Sequence, residues 1–210
     1  VEKCRETVSQ VLEVEKAKVF FTGSGTEGNN WGIYNAIEQS YQKGKIVSSG
    51  IDHPSVIENM RHYASKGYDW TVIPSKGRLH QEDIEKNVTK DTVLLVLTHV
   101  NSEIGSVNDI GELAASARKA NPNTYIHVDC VQSFGKLPIH GKAWDVDSIS
   151  VSGHKIHGPK GVGATYFKDP NKLRSFIRGG GQERGHRAGT PHTSGIAGFD
   201  VAASCALERM

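Results

Sequence analysis

Nowhere in this sequence is there an uncharged apolar run approaching the ~20 residues that a helix needs to cross a bilayer. The N-terminal stretch VEKCRETVSQVLEVEK is amphipathic and charged, without the apolar core of a secretory signal. No membrane anchorage is expected, and the cytoplasm is the expected compartment. An excess of one charge is missing too: 25 basic against 23 acidic residues leave a formal charge of +2, too little to attract a nucleic acid or an anionic membrane. Cysteine is scarce. Cys4, Cys130 and Cys205 are odd in number and widely separated, with no CxxC pair for zinc or a redox disulfide, so no metal site is expected and a reducing environment is.

What is present reads as one core. A length of 210 residues, 37% of them apolar and 23% charged, suits a single globular domain. Helical spacing of Val8, Val11, Leu12 and Val14 predicts an uncapped helix over 1–14. A strand follows over 18–22, then the glycine-rich turn GSGTEG at 23–28 and a helix over 30–43. The rhythm repeats: strand 45–49, a loop through Asp52 and His53, a helix entered at Pro54 and closed by Gly67, then strand 69–74. Next come a helix over 81–87, strand 92–97, the polar loop THVNSEIGSVND over 98–109, a helix over 110–120 and strand 124–129. The run VLLVL suits a strand buried on both faces. A last helix begins near Thr193 and is still running at Met210. Alternating strands and helices predict an α/β fold: a mainly parallel sheet with helices on both faces and ligands beyond the carboxyl ends of the strands.

Residues 148–167, SISVSGHKIHGPKGVGATYF, hold the most distinctive chemistry. A β-branched strand breaks at Ser152-Gly153, presents His154 and Lys155, and turns through glycines into a second strand at 162–167. A lysine that forms an imine with an aldehyde must be partly desolvated and held in place, and a glycine-flanked turn allows close approach of a ring. An arbitrary Lys-Gly turn, however, is ordinarily a hairpin whose charges face water. Likewise, an aspartate at a strand end, such as Asp129, is ordinarily a turn cap, and a glycine-rich turn such as that at Gly25-Thr26 is often only a bend.

The segment SGHKIHGPKGVG resembles the lysine segment of the cysteine desulfurases, of the NifS/IscS type, within the class V aminotransferase group of pyridoxal-phosphate enzymes. The resemblance implies the large domain of the fold-type I pyridoxal-phosphate transferases. It also implies pyridoxal 5'-phosphate as cofactor, L-cysteine as substrate, a persulfide passed to a sulfur-acceptor protein, and a homodimer. Lys155 matches the lysine that binds the cofactor. HVDCVQSFGKLPI matches the segment whose aspartate, here Asp129, holds the pyridinium nitrogen, with Gln132 on the ring oxygen. Gly25, Thr26, Ser152 and His154 match phosphate ligands, and Thr190 matches a threonine that serves the neighbouring subunit's phosphate. His53 matches a histidine that lies over the ring and moves protons. His99, His127 and His157 are expected to be structural, and Cys130 to be a packed thiol.

Two departures accompany these matches. The family's loop carries two asparagines before Glu-Ile-Gly, whereas this one reads Asn101-Ser102-Glu103, so Ser102 stands where a longer amide would reach the ring oxygen. The family's persulfide cysteine and carboxylate-binding arginine fall beyond the Gly-Thr segment. Residues 1–210 are therefore expected to be the cofactor-binding large domain without the N-terminal segment and small domain, and inactive alone. Selenocysteine lyases and other class V enzymes share the lysine, aspartate and phosphate turn. A domain that holds cofactor without turnover is the non-enzymatic alternative.

Overall fold

The computed structural model describes residues 1–210. In chain order its elements are α1 (Glu2–Val11), β1 (Val19–Thr22), α2 (Gly25–Gln39), β2 (Lys45–Ser49), α3 (Pro54–Ser65), β3 (Asp69–Ile73) and α4 (Gln81–Asn87). They continue with β4 (Thr92–Thr98), α5 (Ile110–Ala120), β5 (Tyr125–Asp129), β6 (Ser148–Ser152), β7 (Gly163–Phe167) and α6 (Thr193–Leu207). The strands form one sheet in the order β1-β7-β6-β5-β4-β2-β3. Strand β7 runs antiparallel to both neighbours, β1 and β6, and the other pairings are parallel. The expected mainly parallel α/β fold is therefore observed, with one reversed strand near an edge.

Strand β4 shows why helices cover both faces. Its side chains alternate, Leu94 and Val96 joining a cluster with Ile33, Ile37, Val56 and Met60 of α2 and α3. Leu95 and Leu97 join the larger cluster with α1, α4, α5 and α6, through Val8, Ile84, Leu113 and Phe199. All of these side chains are essentially buried. No helix is long and apolar enough to cross a membrane.

Element boundaries differ from expectation where capping decides them. Helix α2 starts at Gly25, five residues before the expected position. Ser24 Oγ accepts the Glu27 amide at 3.1 Å while the Glu27 carboxylate accepts the Gly23 amide at 2.8 Å, a reciprocal cap that pulls the glycine turn into the first helical turn. Helix α1 ends at Val11 because Glu13 adopts a positive φ of 51°, and α6 ends at Leu207, short of Met210. The lysine segment is a 3₁₀ turn, Gly153–Ile156, closed by His157 in the left-handed region, and not a bare hairpin turn.

Candidate cofactor site

The six strands that share a direction end at one edge of the sheet, and the chain leaves each of five of them, β1, β2, β4, β5 and β6, into the same cleft. Its volume is about 410 Å³, and of the residues singled out in the sequence it is lined by Gly25, Thr26, His53, Ser102, Asp129, Gln132, Ser152, His154 and Lys155. Ser24, Asn29, Ser55, Thr98, Val100, Glu103 and Val131 complete the wall. Thr190 does not reach it. That residue lines a separate pocket of about 130 Å³ with Gly23, Arg187 and His192.

Part of the cleft wall carries groups suited to an anion. The Ser24 cap satisfies the Glu27 amide, and the Gly25 and Thr26 amides open α2 without an intrahelical acceptor. From the other side Ser152 Oγ lies 2.8 Å from His154 Nδ1, and Lys155 follows. Burial, then Lys155 and Lys160, hold the His154 imidazole below its usual range, so the ring is kept as a neutral hydrogen-bonding group.

Asp129, on the same cleft, is 5% exposed. Its Oδ1 accepts the Val131 amide at 2.9 Å and its Oδ2 accepts Asn29 Nδ2 at 2.7 Å, with no lysine or arginine paired to it. Burial raises its pKa, opposed by those two hydrogen bonds and by His53. A carboxylate held this way favours a cationic N–H against it, which is the donor a protonated pyridine presents. Together with the helix start and the Lys155 amine on the same cleft, the donor set fits pyridoxal phosphate.

Several further side chains near the cleft are fixed by burial or by their own loops. Cys130 is buried, with its thiol pushed up by desolvation, so it is a packed group. His127 is buried and held neutral, down to about 3, by desolvation. His99 is also buried and packs edge-on to Trp144. Asn101 is tied into its loop: Oδ1 accepts the Glu103 and Ile104 amides, and Nδ2 donates one hydrogen to the Ile51 carbonyl at 2.7 Å. It does not line the cleft, where that loop contributes the exposed Ser102 and Glu103 instead. Cys205 is exposed on α6, in a groove that the Lys155 turn also borders.

Sequence reasoning missed Asn29, Ser55 and Thr98. Asn29 had a signal, one turn into a capped helix beside the phosphate turn, but its partners are far away in the chain. Asp52 was passed over as a loop residue. It is buried, accepting the Ser49 amide at 2.9 Å and the Thr98 hydroxyl at 2.6 Å, and desolvation raises its pKa to about 6.

A mainly parallel sheet with a lysine, a buried aspartate and a helix N-terminus meeting at one cleft beyond its strand ends defines an α/β protein of the kind that binds ligands at the carboxyl edge of its sheet. Residues 1–209 match the family Aminotransferase class-V, and the chain belongs to that family. It is 38% identical over 213 residues to the cysteine desulfurase IscS of Clostridium botulinum, strain Hall, covering 100% of this chain and 53% of the relative. The cysteine desulfurase of Nostoc sp. is 35% identical over 209 residues, which is 99% of this chain and 52% of that protein. The chain thus spans about half the length of the curated relatives it matches. Among solved structures, a NifS-like protein superposes with a TM-score of 0.94 at 38% identity, over 99% of this chain and 58% of that one. SspA in complex with cysteine superposes with a TM-score of 0.91 at 34% identity, over 97% and 59%.

Proposed function

We propose that this chain is the cofactor-binding large domain of a pyridoxal-phosphate-dependent cysteine desulfurase. The observation that carries the reading is the convergence of Lys155, Asp129 and the Gly25-Thr26 helix start on one cleft, in a chain 38% identical to a cysteine desulfurase. The overall reaction moves the sulfur of L-cysteine to an enzyme thiol, giving alanine and a persulfide. Pyridoxal phosphate supplies an aldehyde for the substrate amine and a ring that accepts the electron pair left at the α-carbon.

The chain's own residues would divide the remaining work. The Gly25 and Thr26 amides with Ser152 and His154 bind the phosphate. Asp129 keeps the proton on the ring nitrogen, and that proton makes the ring an electron sink. Lys155, on a short turn fixed by the end of β6, holds the cofactor at rest and carries a proton through Nζ during turnover. His53 covers the ring, and Gln132 and Ser102 face its oxygen side.

Two of the three cysteines, Cys4 and Cys130, are buried, and Cys4 is pushed up to about 12 by burial first and Asp200 second. Cys205 is exposed but opens on a separate groove and does not line the cleft, so the acceptor thiol, and with it the arginine for the substrate carboxylate, is assigned to residues outside 1–210, as the resemblance to the family implies. Thr190, away from this cleft, would serve the phosphate of a second copy in a homodimer. The persulfide goes on to a sulfur-acceptor protein, in the cytoplasm, where unpaired cysteines such as these persist.

The test uses the full-length protein loaded with pyridoxal phosphate and supplied with L-cysteine and a thiol reductant. Alanine and sulfide should form in equal amounts. A yellow protein that forms no alanine would reduce the reading to a cofactor-holding domain, and a colourless one would remove the cofactor as well.

A further inference from the structure

His53 and Asp129, which both line the cleft, are joined along its wall by hydrogen bonds whose direction can be worked out from one fixed donor. The Ser55 backbone N–H donates to His53 Nδ1 at 3.1 Å, so that nitrogen carries a lone pair and no proton. Ser55 Oγ lies 2.8 Å from the same nitrogen, and its hydroxyl must therefore donate to it. With its proton spent there, Ser55 Oγ can only accept from Asn29, 2.8 Å away, which requires the amide nitrogen of Asn29 to face it. That nitrogen's second hydrogen goes to Asp129 Oδ2 at 2.7 Å. Asn29 Oδ1 is then turned to His127 Nε2 at 3.0 Å, which must bear the proton, and His127 Nδ1 accepts from Ser148 Oγ at 2.7 Å. Every member has one role.

We propose that Asn29 and Ser55 are positioning residues that couple His53 to Asp129, holding His53 as the Nε2–H tautomer and Asp129 as a carboxylate that only accepts. The inference deepens the reading as a pyridoxal-phosphate enzyme and rests on it for its consequence, but the network lies in the protein itself. Two results follow from the geometry. His53 Nε2, the nitrogen without a protein partner, is the one that can give a proton in the cleft, while Nδ1 cannot take one without expelling two donors. Both Asp129 oxygens are occupied by donors, Val131 N–H and Asn29 Nδ2, so the carboxylate is held against the desolvation that opposes it. Asn29 is 1% exposed and α2 meets β5 closely enough at Gly32 that an added methyl would strike the His127 ring. The amide is therefore fixed in place as well as in direction.

The experiment is ¹⁵N NMR of the full-length protein labelled at histidine, with and without pyridoxal phosphate, in the native protein and in Ser55→Ala, Ser55→Thr and Asn29→Ala. His53 should be the Nε2–H tautomer in the native protein and in Ser55→Thr; in Ser55→Ala the Ser55 backbone N–H remains as a donor to Nδ1, so the tautomer should persist while the Nδ1 resonance moves toward that of a weakly bonded acceptor nitrogen. Asn29→Ala should release Ser55 from its donor and weaken cofactor binding about tenfold, the effect of losing one hydrogen bond to a charged group. A purely structural role would lower the melting temperature and leave the His53 Nδ1 resonance alone. A native His53 protonated at Nδ1, or a His53 Nδ1 resonance unchanged in both Ser55→Ala and Asn29→Ala, would overturn the proposal. Should Asn29→Ala not fold, the two Ser55 variants decide alone. A protein with the expected tautomers that binds no pyridoxal phosphate would leave the network standing and reject the enzymatic reading.

Discussion

Arg187 grips Glu27 through two parallel bonds, Nε to Oε1 at 2.8 Å and Nη2 to Oε2 at 3.0 Å, with both side chains largely shielded. Glu27 simultaneously caps α2, so the pair ties the loop that carries Thr190 to the helix start whose amides suit an anion. Arg187→Ala should therefore lower stability by about 1–3 kcal/mol, because a half-buried carboxylate loses its charged partner. Arg187→Lys should recover only part of this, since an ammonium cannot form the fork. Urea midpoints measure the first effect. Faster proteolysis near residues 178–190 checks that the loop has been released.

Lys155→Ala should abolish the borohydride-stable adduct with pyridoxal phosphate. Lys136 and Lys160 are the nearest rivals; Lys136 lies in the outer groove, its pKa lowered by burial and by Lys155, and Lys160 is exposed. Neither lines the cleft. Peptide mapping after reduction decides, and a label on either rival would refute the assignment.

Asp129→Asn should retain bound cofactor while slowing alanine formation by about 10²–10³-fold, the scale of removing one preorganised electrostatic partner. An amide can accept the Val131 N–H, but it cannot hold the ring proton. Steady-state alanine release at saturating cysteine reads the loss, and an unchanged rate would end this role for Asp129.

Asp52 makes stability depend on pH. Its folded-state pKa is raised from 3.8 to about 6, chiefly by burial, so the folded protein binds this proton more tightly than the unfolded chain does. Its contribution is fully present below the unfolded value and is lost as pH rises through about 6, a difference of about 3 kcal/mol. Asn can keep both bonds, with Oδ1 toward the Ser49 amide and its NH₂ toward a Thr98 hydroxyl that now accepts. Asp52→Asn should therefore flatten the fall in stability between pH 4 and about 6 relative to the native protein. Denaturation midpoints across that window are the check, and parallel curves for the two proteins would contradict the assignment.

Gly32→Ala should disturb the cleft from behind. The added methyl would overlap the His127 ring, and a packed strand gives it no room to retreat. A loss of about 1–3 kcal/mol is expected, together with a shifted His127 resonance. Stability unchanged from the native protein would mean that α2 can move away from β5.

The local features of the chain were legible because they are local. Strand β2 and helices α4 and α5 have the limits that their apolar spacing and flanking residues indicate. The start of α2 was legible too, in the Ser24-x-x-Glu27 spacing, but glycines at 23, 25 and 28 masked it by resembling a loop. The glycine turn after β6 pointed to a reversed β7, but its pairing with the distant β1 was not legible. A short apolar strand has the same composition whichever neighbour it pairs with, and only the folded sheet settles it.

The site divides the same way. Residue types and their spacing determined that a lysine, an aspartate and a helix N-terminus lie at the carboxyl edge of the strands, because each follows its own strand directly. Which neighbours those groups touch was decided by tertiary structure alone. Asn29, Ser55, His127 and Asp129 belong to α2, α3 and β5, and a hydrogen bond needs its atoms within about 3 Å and correctly directed. Strand order and helix docking create that proximity, and no spacing along the chain encodes it. For the same reason the sequence could name Thr190 as a candidate, but only the folded chain separates it from the cleft that holds the others.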